Sequence, residues 1–136
     1  MFRSKATSYA ILAASEIAKR KTTPGGPGVQ ASEVAELYGL PTAYAAKVMS
    51  QMAKAQILRS DRGPRGGFQL ARTTDKINLL EMYEAVHGIL DGGGEMRVDG
   101  KIPDHIRKNV TNAFDKATNQ MRTRMSAITL SDLLKK

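Results

Sequence analysis

The sequence predicts a mainly α-helical chain with one small β-hairpin and a long helix towards its end. Three observations predict it. Apolar residues recur at steps of three and four through most of the chain. A Gly/Pro-rich turn separates two short apolar segments between residues 57 and 71. From Pro103 onward a single apolar stripe runs through some 23 residues without an internal breaker.

The first segment places Phe2, Ala6, Tyr9, Ala10, Ala13 and Ile17 on one helical face, closed by Lys19, Arg20 and Lys21, whose charge suits a helix C-terminus. Residues 22–28 (TTPGGPG) read as a loop. Helical spacing resumes with Val34 and Leu37 and stops at Gly39, a left-handed cap. Either Gln30 or Ser32 could open this helix. Leu40, Pro41 and Thr42 turn the chain, and Ala45, Val48, Met52 and Ala55 mark the buried face of the next helix, Thr42 to Ala55. Two short helices joined by a Gly-centred turn make a helix-turn-helix pattern.

Strands at Ile57–Ser60 and Phe68–Ala71 then flank Asp61-Arg62-Gly63-Pro64-Arg65-Gly66-Gly67. A hairpin with two arginines at its tip, directly after a helix-turn-helix, is a wing. Asn78-Leu79-Leu80-Glu81 forms a capping box with Ile77 and Met82 as its hydrophobic staple, opening a helix that ends at Gly88. Asp91-Gly92-Gly93-Gly94 belongs to a flexible spacer near residues 90–101. Pro103 opens the long helix as its first residue, with Asp104 in the first turn. Its stripe is Ile106, Val110, Ala113, Phe114, Ala117 and Met121, with Met125 beyond. At ~1.5 Å per residue such a helix is roughly 34 Å long, too long for a small domain to bury, so dimerisation through it is expected. Thr129-Leu130-Ser131-Asp132, with Ile128 and Leu133 as staple, caps a last short helix. The expected division is a winged helix-turn-helix over residues 1–76 and a helical dimerisation region over residues 77–136.

Composition bounds the function. The 136 residues are 41% hydrophobic and 25% charged, the balance of a folded soluble chain. The net charge of +8 is unevenly spread: residues 1–76 carry twelve Lys and Arg against five Asp and Glu, residues 77–136 nine against eight. Basic surface concentrated in one half suits a polyanion, because each neutralised phosphate releases counterions. A membrane surface would want aromatic residues beside the cations, and this half has only Phe2 and Phe68 as phenylalanines and no tryptophan. There are no cysteines, which removes disulfides and thiolate ligands. With no leader-like run and no spanning segment, a cytoplasmic protein without a membrane partner is expected. No P-loop, dinucleotide fingerprint or nucleophile–base spacing occurs, so an enzyme is not expected, nor a cofactor.

These motifs, in this order, resemble the Rrf-two family of bacterial winged-helix transcriptional regulators, of the IscR, NsrR and CymR type. The likeness runs through nearly the whole chain. Residues 62–72, Arg62-Gly63-Pro64-Arg65-Gly66-Gly67-Phe68-Gln69-Leu70-Ala71-Arg72, resemble the family's RGxxGGYxLAR wing. Tyr9-Ala10, the turn Gly39 to Tyr44, and Ile128-Thr129-Leu130 match further family motifs. The resemblance implies a homodimer paired through the long helix, bound to double-stranded DNA with one helix in the major groove and the wing in the minor groove. It also marks a departure. Where cluster-sensing members place cysteines, residues 90–109 have none; Lys108 and Thr111 occupy two ligand positions, and Ser4, Thr7 and Ser8 stand where others have a first-helix carboxylate. An iron–sulfur sensor is therefore not expected.

The DNA-contacting candidates are Thr42, Tyr44, Lys47, Ser50, Gln51, Lys54, Arg62 and Arg65. Arg62 and Arg65 at the wing tip suit phosphates or the electronegative minor groove. Tyr44 and Lys47 lie in the early turns, where recognition helices reach base edges, although Tyr44 has packing as its alternative. Thr42 has a capping alternative. Ser50, Gln51 and Lys54 suit the backbone or plain solvation. His87 fits a helix C-terminus better than a metal site. Two other functions stay open: a winged helix that binds a regulatory protein partner rather than DNA, and a small-molecule or metal sensor using His87, Glu95, Asp99, Asp104 or His105.

Overall fold

The computed structural model describes residues 2–20, 26–61 and 66–136. Helix α1 spans Lys5–Lys19 and starts where the Ser4 hydroxyl accepts the backbone N–H of Thr7 at 3.2 Å. Phe2, expected on the helical stripe, lies ahead of the helix instead. Its ring packs 5.3 Å from that of Tyr83, because Ser4 rather than an earlier residue caps the first turn. The inner face of α1 is Ala10, Ala13, Ala14 and Ile17, and the small residues let neighbouring helices approach closely.

Helix α2 spans Ala31–Tyr38, and the choice between Gln30 and Ser32 falls to Gln30. Glu33 decides it, since its carboxylate accepts the Gln30 backbone N–H at 2.7 Å and completes a capping box. Leu37, expected inside, is 54% exposed; the short helix buries only Val34 and Ala35. Gly39 ends it at φ +65°. Helix α3 spans Thr42–Lys54 with Pro41 as its cap. Ala45, Val48 and Met52 are buried as expected, and Met49 joins them. Ala55 is not: it ends the helix and is exposed, because Gln56 turns the chain away at φ +61°.

Strands β1 (Leu58–Asp61) and β2 (Gly67–Leu70) pair antiparallel, with Leu58 opposite Leu70 and Asp61 opposite Gly67. Both are displaced one residue towards the tip from the expected spans. Ile57 and Ala71 flank the hairpin and still share a bond, Ala71 N–H to the Ile57 carbonyl at 2.9 Å. A 3₁₀ turn, Thr74–Lys76, leads to α4, Leu79–His87, capped by Asn78 and Glu81 and ended by Gly88.

Helix α5 spans Asp104–Ser126 and α6 Leu130–Leu134. Pro103 is the cap of α5 rather than its first residue: its ψ of 135° is extended, and its carbonyl accepts the N–H groups of Ile106 and Arg107. Thr129 and Asp132 form the expected capping box of α6.

One core holds the fold. Ile17, Val34, Met49, Met52, Ile57, Ile77, Met82 and Leu130 pack in a single cluster, so residues on both sides of position 77 contribute to it. Return of the chain end is fixed by two backbone bonds of 2.8 Å, Leu130 N–H to Ile77 and Leu79 N–H to Ile128. A smaller cluster, Leu80, Tyr83 and Met125, seats the end of α5 on α4. The segment near residues 90–101, expected as a free spacer, is tied down at its start. Glu84 accepts the Leu90 N–H at 2.7 Å, and Arg122 bridges Glu84 (2.5 Å) and the Leu90 carbonyl (2.9 Å). Gly92 lies so close to α5 that a Cβ there would stand 2.5 Å from the Asp115 carboxylate.

Candidate nucleic-acid interface

Of the two parts of the expected DNA surface, the outer face of α3 lies within the described residues. The tip residues Arg62 and Arg65 lie outside the described residues. On α3, Thr42, Lys47, Ser50 and Lys54 are exposed, and Gln51 is half-buried. Lys47, Ser50 or Gln51, and Lys54 recur at helical spacing, so one polar ridge runs along the helix opposite Val48, Met49 and Met52.

Thr42 is not a cap. Pro41 holds that position, so the Thr42 side chain is free of the capping role that was its alternative. Tyr44 has a structural task. Its ring meets that of Tyr9 edge-on at 5.4 Å and 81°, and it packs against the small cluster of Ala35, Leu40 and Ala45. That contact joins the start of α3 to α1 and fixes the angle at which α3 is presented.

The wing root is built by close backbone approach. Val29 pairs with Phe68 through two bonds, 2.9 and 2.8 Å, an isolated bridge that joins the segment before α2 to β2. A Cβ on Gly28 would stand 2.8 Å from the Gly67 carbonyl carbon, and one on Gly67 would stand 2.8 Å from the Val29 carbonyl oxygen. Gly67 also adopts φ +135°, a region reserved for glycine. The Gln30 side chain donates to the Gly66 carbonyl, so one residue caps α2 and holds the hairpin.

Sequence reasoning passed over Gln69 and Arg59, which face each other across the hairpin. Gln69 is 2% exposed; its Oε1 accepts from Arg59 at 2.8 Å and its amide NH₂ donates to the Gly26 carbonyl at 2.9 Å. The available signal was a glutamine placed mid-strand opposite an arginine.

The residues weighed as a sensor site are dispersed. His87 is engaged by Ser4 (2.7 Å) and Thr7 (2.9 Å) and stacks 4.7 Å from Tyr83. Glu95 and Asp104 border a depression of about 310 Å³ together with Arg107, Lys108 and Thr111. Among the described residues no three His, Asp or Glu side chains converge as a metal site. With no cysteine in the chain, and with a cation at 108 and a hydroxyl at 111, these residues do not fit an iron–sulfur cluster. Among the described residues no helix is long and apolar enough to cross a membrane.

Comparison with known proteins identifies the family and the fold. The sequence profile of the Rrf2 family, described as an iron-dependent transcriptional regulator, matches residues 3–136. A protein of Aquifex aeolicus (strain VF5) assigned as an HTH-type transcriptional regulator is 33% identical over 84 residues, 62% of this chain and 56% of its own length. The HTH-type transcriptional regulator IscR of Sodalis glossinidius (strain morsitans) is 30% identical over 83 residues, 61% of this chain and 48% of its own. The matched stretches thus span about half the length of these two relatives. Among solved structures, CymR, the global cysteine regulator of B. subtilis, superposes with a TM-score of 0.68 at 20% identity, covering 96% of this chain and 94% of that one. The fold is that of the winged-helix regulators, and the chain belongs to the Rrf2 family of DNA-binding transcriptional regulators.

Proposed function

We propose that this regulator works as a homodimer on a two-fold-related duplex site, with residues 1–76 carrying the DNA surface and residues 77–136 the pairing surface. The observation that carries the dimer is the outer face of α5. Ile106, Phe114 and Met121 are 40%, 60% and 41% exposed on one stripe, with Val110 half-buried and Ala113 and Ala117 open between them. A row of large apolar side chains along a 23-residue helix suits a matching helix from a second copy. In this reading α3 enters the major groove, presenting Thr42 and Lys47 towards base edges, with the half-buried Tyr44 holding the start of the helix against Tyr9 beside them. Ser50, Gln51 and Lys54 lie nearer the backbone, and the wing carries Arg62 and Arg65 into the adjacent minor groove.

The regulator does not sense an iron–sulfur cluster. Its signal has to arrive as a small ligand or a regulatory protein partner, and its setting is the cytoplasm, where its duplex target lies. Two measurements test this. Selection from random duplexes should return a two-fold-related sequence with half-sites about one helical turn or more apart. Protein purified anaerobically should be colourless, free of stoichiometric iron and sulfide, and equal in DNA affinity to the aerobic preparation. No affinity for any duplex at low salt would remove the reading, and a coloured, iron-loaded protein would remove its second half.

A further inference from the structure

We propose that Arg59, which lies outside the helix and wing-tip positions singled out from the sequence, anchors a phosphate of the DNA backbone at the root of the wing. The inference rests on the DNA-binding reading above and adds a contact to it. Arg59 projects from β1 with its side chain 46% exposed, yet it is held. Its Nη2 donates to the buried Gln69 amide oxygen at 2.8 Å, and that amide is fixed from its other end by the Gly26 carbonyl. Asp61 stands 3.6 Å from Nε and offsets part of the charge. A guanidinium gripped along one edge has already lost much of its rotamer freedom. A phosphate oxygen therefore meets a donor that costs little further entropy to order.

The surroundings suit an anion. Arg59 borders a depression of about 670 Å³ shared with Lys54, Gln56, Ser60 and Arg72. Arg72 is engaged by Glu81 and by the carbonyls of Gln56 and Lys76, so Lys54 and Arg59 supply the available cationic surface. The ridge Lys47, Ser50, Lys54 on α3 leads to this depression, and Arg59 continues it onto the hairpin. A helix in the major groove and a wing in the neighbouring minor groove straddle one sugar–phosphate strand. The root between them is where that strand passes.

The test uses full-length protein and the duplex it selects, with binding measured against salt. Arg59→Ala should weaken binding roughly tenfold. It should also lower the slope of log K against log salt by about one per bound protomer. The loss should be similar on an unrelated duplex, because phosphates carry no sequence. Arg59→Gln, which can still donate to Gln69, should show the same loss and serves if the alanine variant folds poorly. Asp61→Asn should tighten binding in the parent and give a clearly smaller gain in the Arg59→Gln background. A folded variant with the parent's slope, or an Asp61→Asn gain that ignores Arg59, would show that Arg59 only buttresses the hairpin. If the parent protein itself binds no duplex, the regulator reading falls first and this contact with it.

Discussion

The guanidinium of Arg72 stands 2.9 Å from the Glu81 carboxylate, and that pair ties the wing to the helix behind it. The same Arg72 donates through Nε to the Gln56 carbonyl at 3.1 Å and through Nη1 to the Lys76 carbonyl at 2.9 Å. Glu81 in turn accepts the Asn78 N–H at 3.1 Å as its half of a capping box. One side chain therefore links the end of α3, the exit of the hairpin and the start of α4. Arg72→Ala should cost on the order of 1–2 kcal/mol, since three bonds to a charged group are lost from a site about one-third exposed. Arg72→Lys should recover only part of it, because an ammonium lacks the planar fork that reaches all three acceptors. Urea unfolding of the two variants beside the parent measures both, and an unchanged midpoint for Arg72→Ala would remove the linking role.

The exposed stripe of α5 makes a second prediction. Phe114→Glu places a charge at the centre of the proposed seam while touching nothing in the monomer's core, where among α5 residues only Met125 is buried. Sedimentation should show monomer, with DNA affinity lost although no DNA-facing residue has changed. Thermal stability of the monomer fold should stay near that of the parent at the dilution where the parent also dissociates. A Phe114→Glu protein that remains dimeric would place the pairing surface elsewhere.

Much of the fold was legible because helix ends are local events. Asn78 with Glu81 and Thr129 with Asp132 are spaced to satisfy each other's backbone whatever the rest of the chain does. Gly39 and Gly88 end helices for the same local reason. What the sequence hid is non-local. Burial of Gln69 relies on Gly26, 43 residues earlier, for a carbonyl, and pinning of the spacer draws on Arg122, 32 residues later, which reaches Leu90. Tyr44 lay between the two kinds: its spacing allowed either groove contact or packing, and the ring of Tyr9 supplies the packing.

Acid should weaken the tie between α1 and α2. The backbone N–H of Gln30, and then Arg20 at 2.8 Å, hold the Glu33 carboxyl below its ordinary value of 4.5. A group whose folded value is depressed contributes stability that is present above the unfolded value and lost as pH falls through the folded one. Glu33→Gln should therefore destabilise the protein at pH 7 by a few tenths of a kcal/mol to about 1 kcal/mol, the range of an exposed pair and a cap. The gap to the parent should shrink as pH drops below about 4.5. Unfolding midpoints across pH 3–7 give the answer, and a gap that stays constant would mean that the carboxylate contributes no charge-dependent stability.

The last prediction concerns the glycines at the wing root. As a sequence, Gly66-Gly67 belongs to the Gly/Pro turn between the two strands and to the wing motif. The structure gives Gly67 a different task. Its φ of +135° is one that a side chain resists, and a Cβ there would press within 2.8 Å of the Val29 carbonyl oxygen. That oxygen accepts the Phe68 N–H at 2.8 Å, so it cannot retreat without breaking the rung that joins the hairpin to the segment before α2. Gly67→Ala should therefore strain the join between the wing and its base, where Val29 and Phe68 meet the core of Ile17, Met49, Met52 and Leu130, without removing any core side chain. Helix content and the main unfolding transition should change little, within about 1–2 kcal/mol. DNA affinity should fall further than a single lost contact explains, because the wing arginines and the Arg59 site lose their placement together. Amide exchange would localise the damage, with Val29 and Phe68 losing protection and the amides of α4 keeping theirs. Full affinity in Gly67→Ala would mean that the wing is placed by the tip or by DNA itself, and the close approach at Val29 would carry no function.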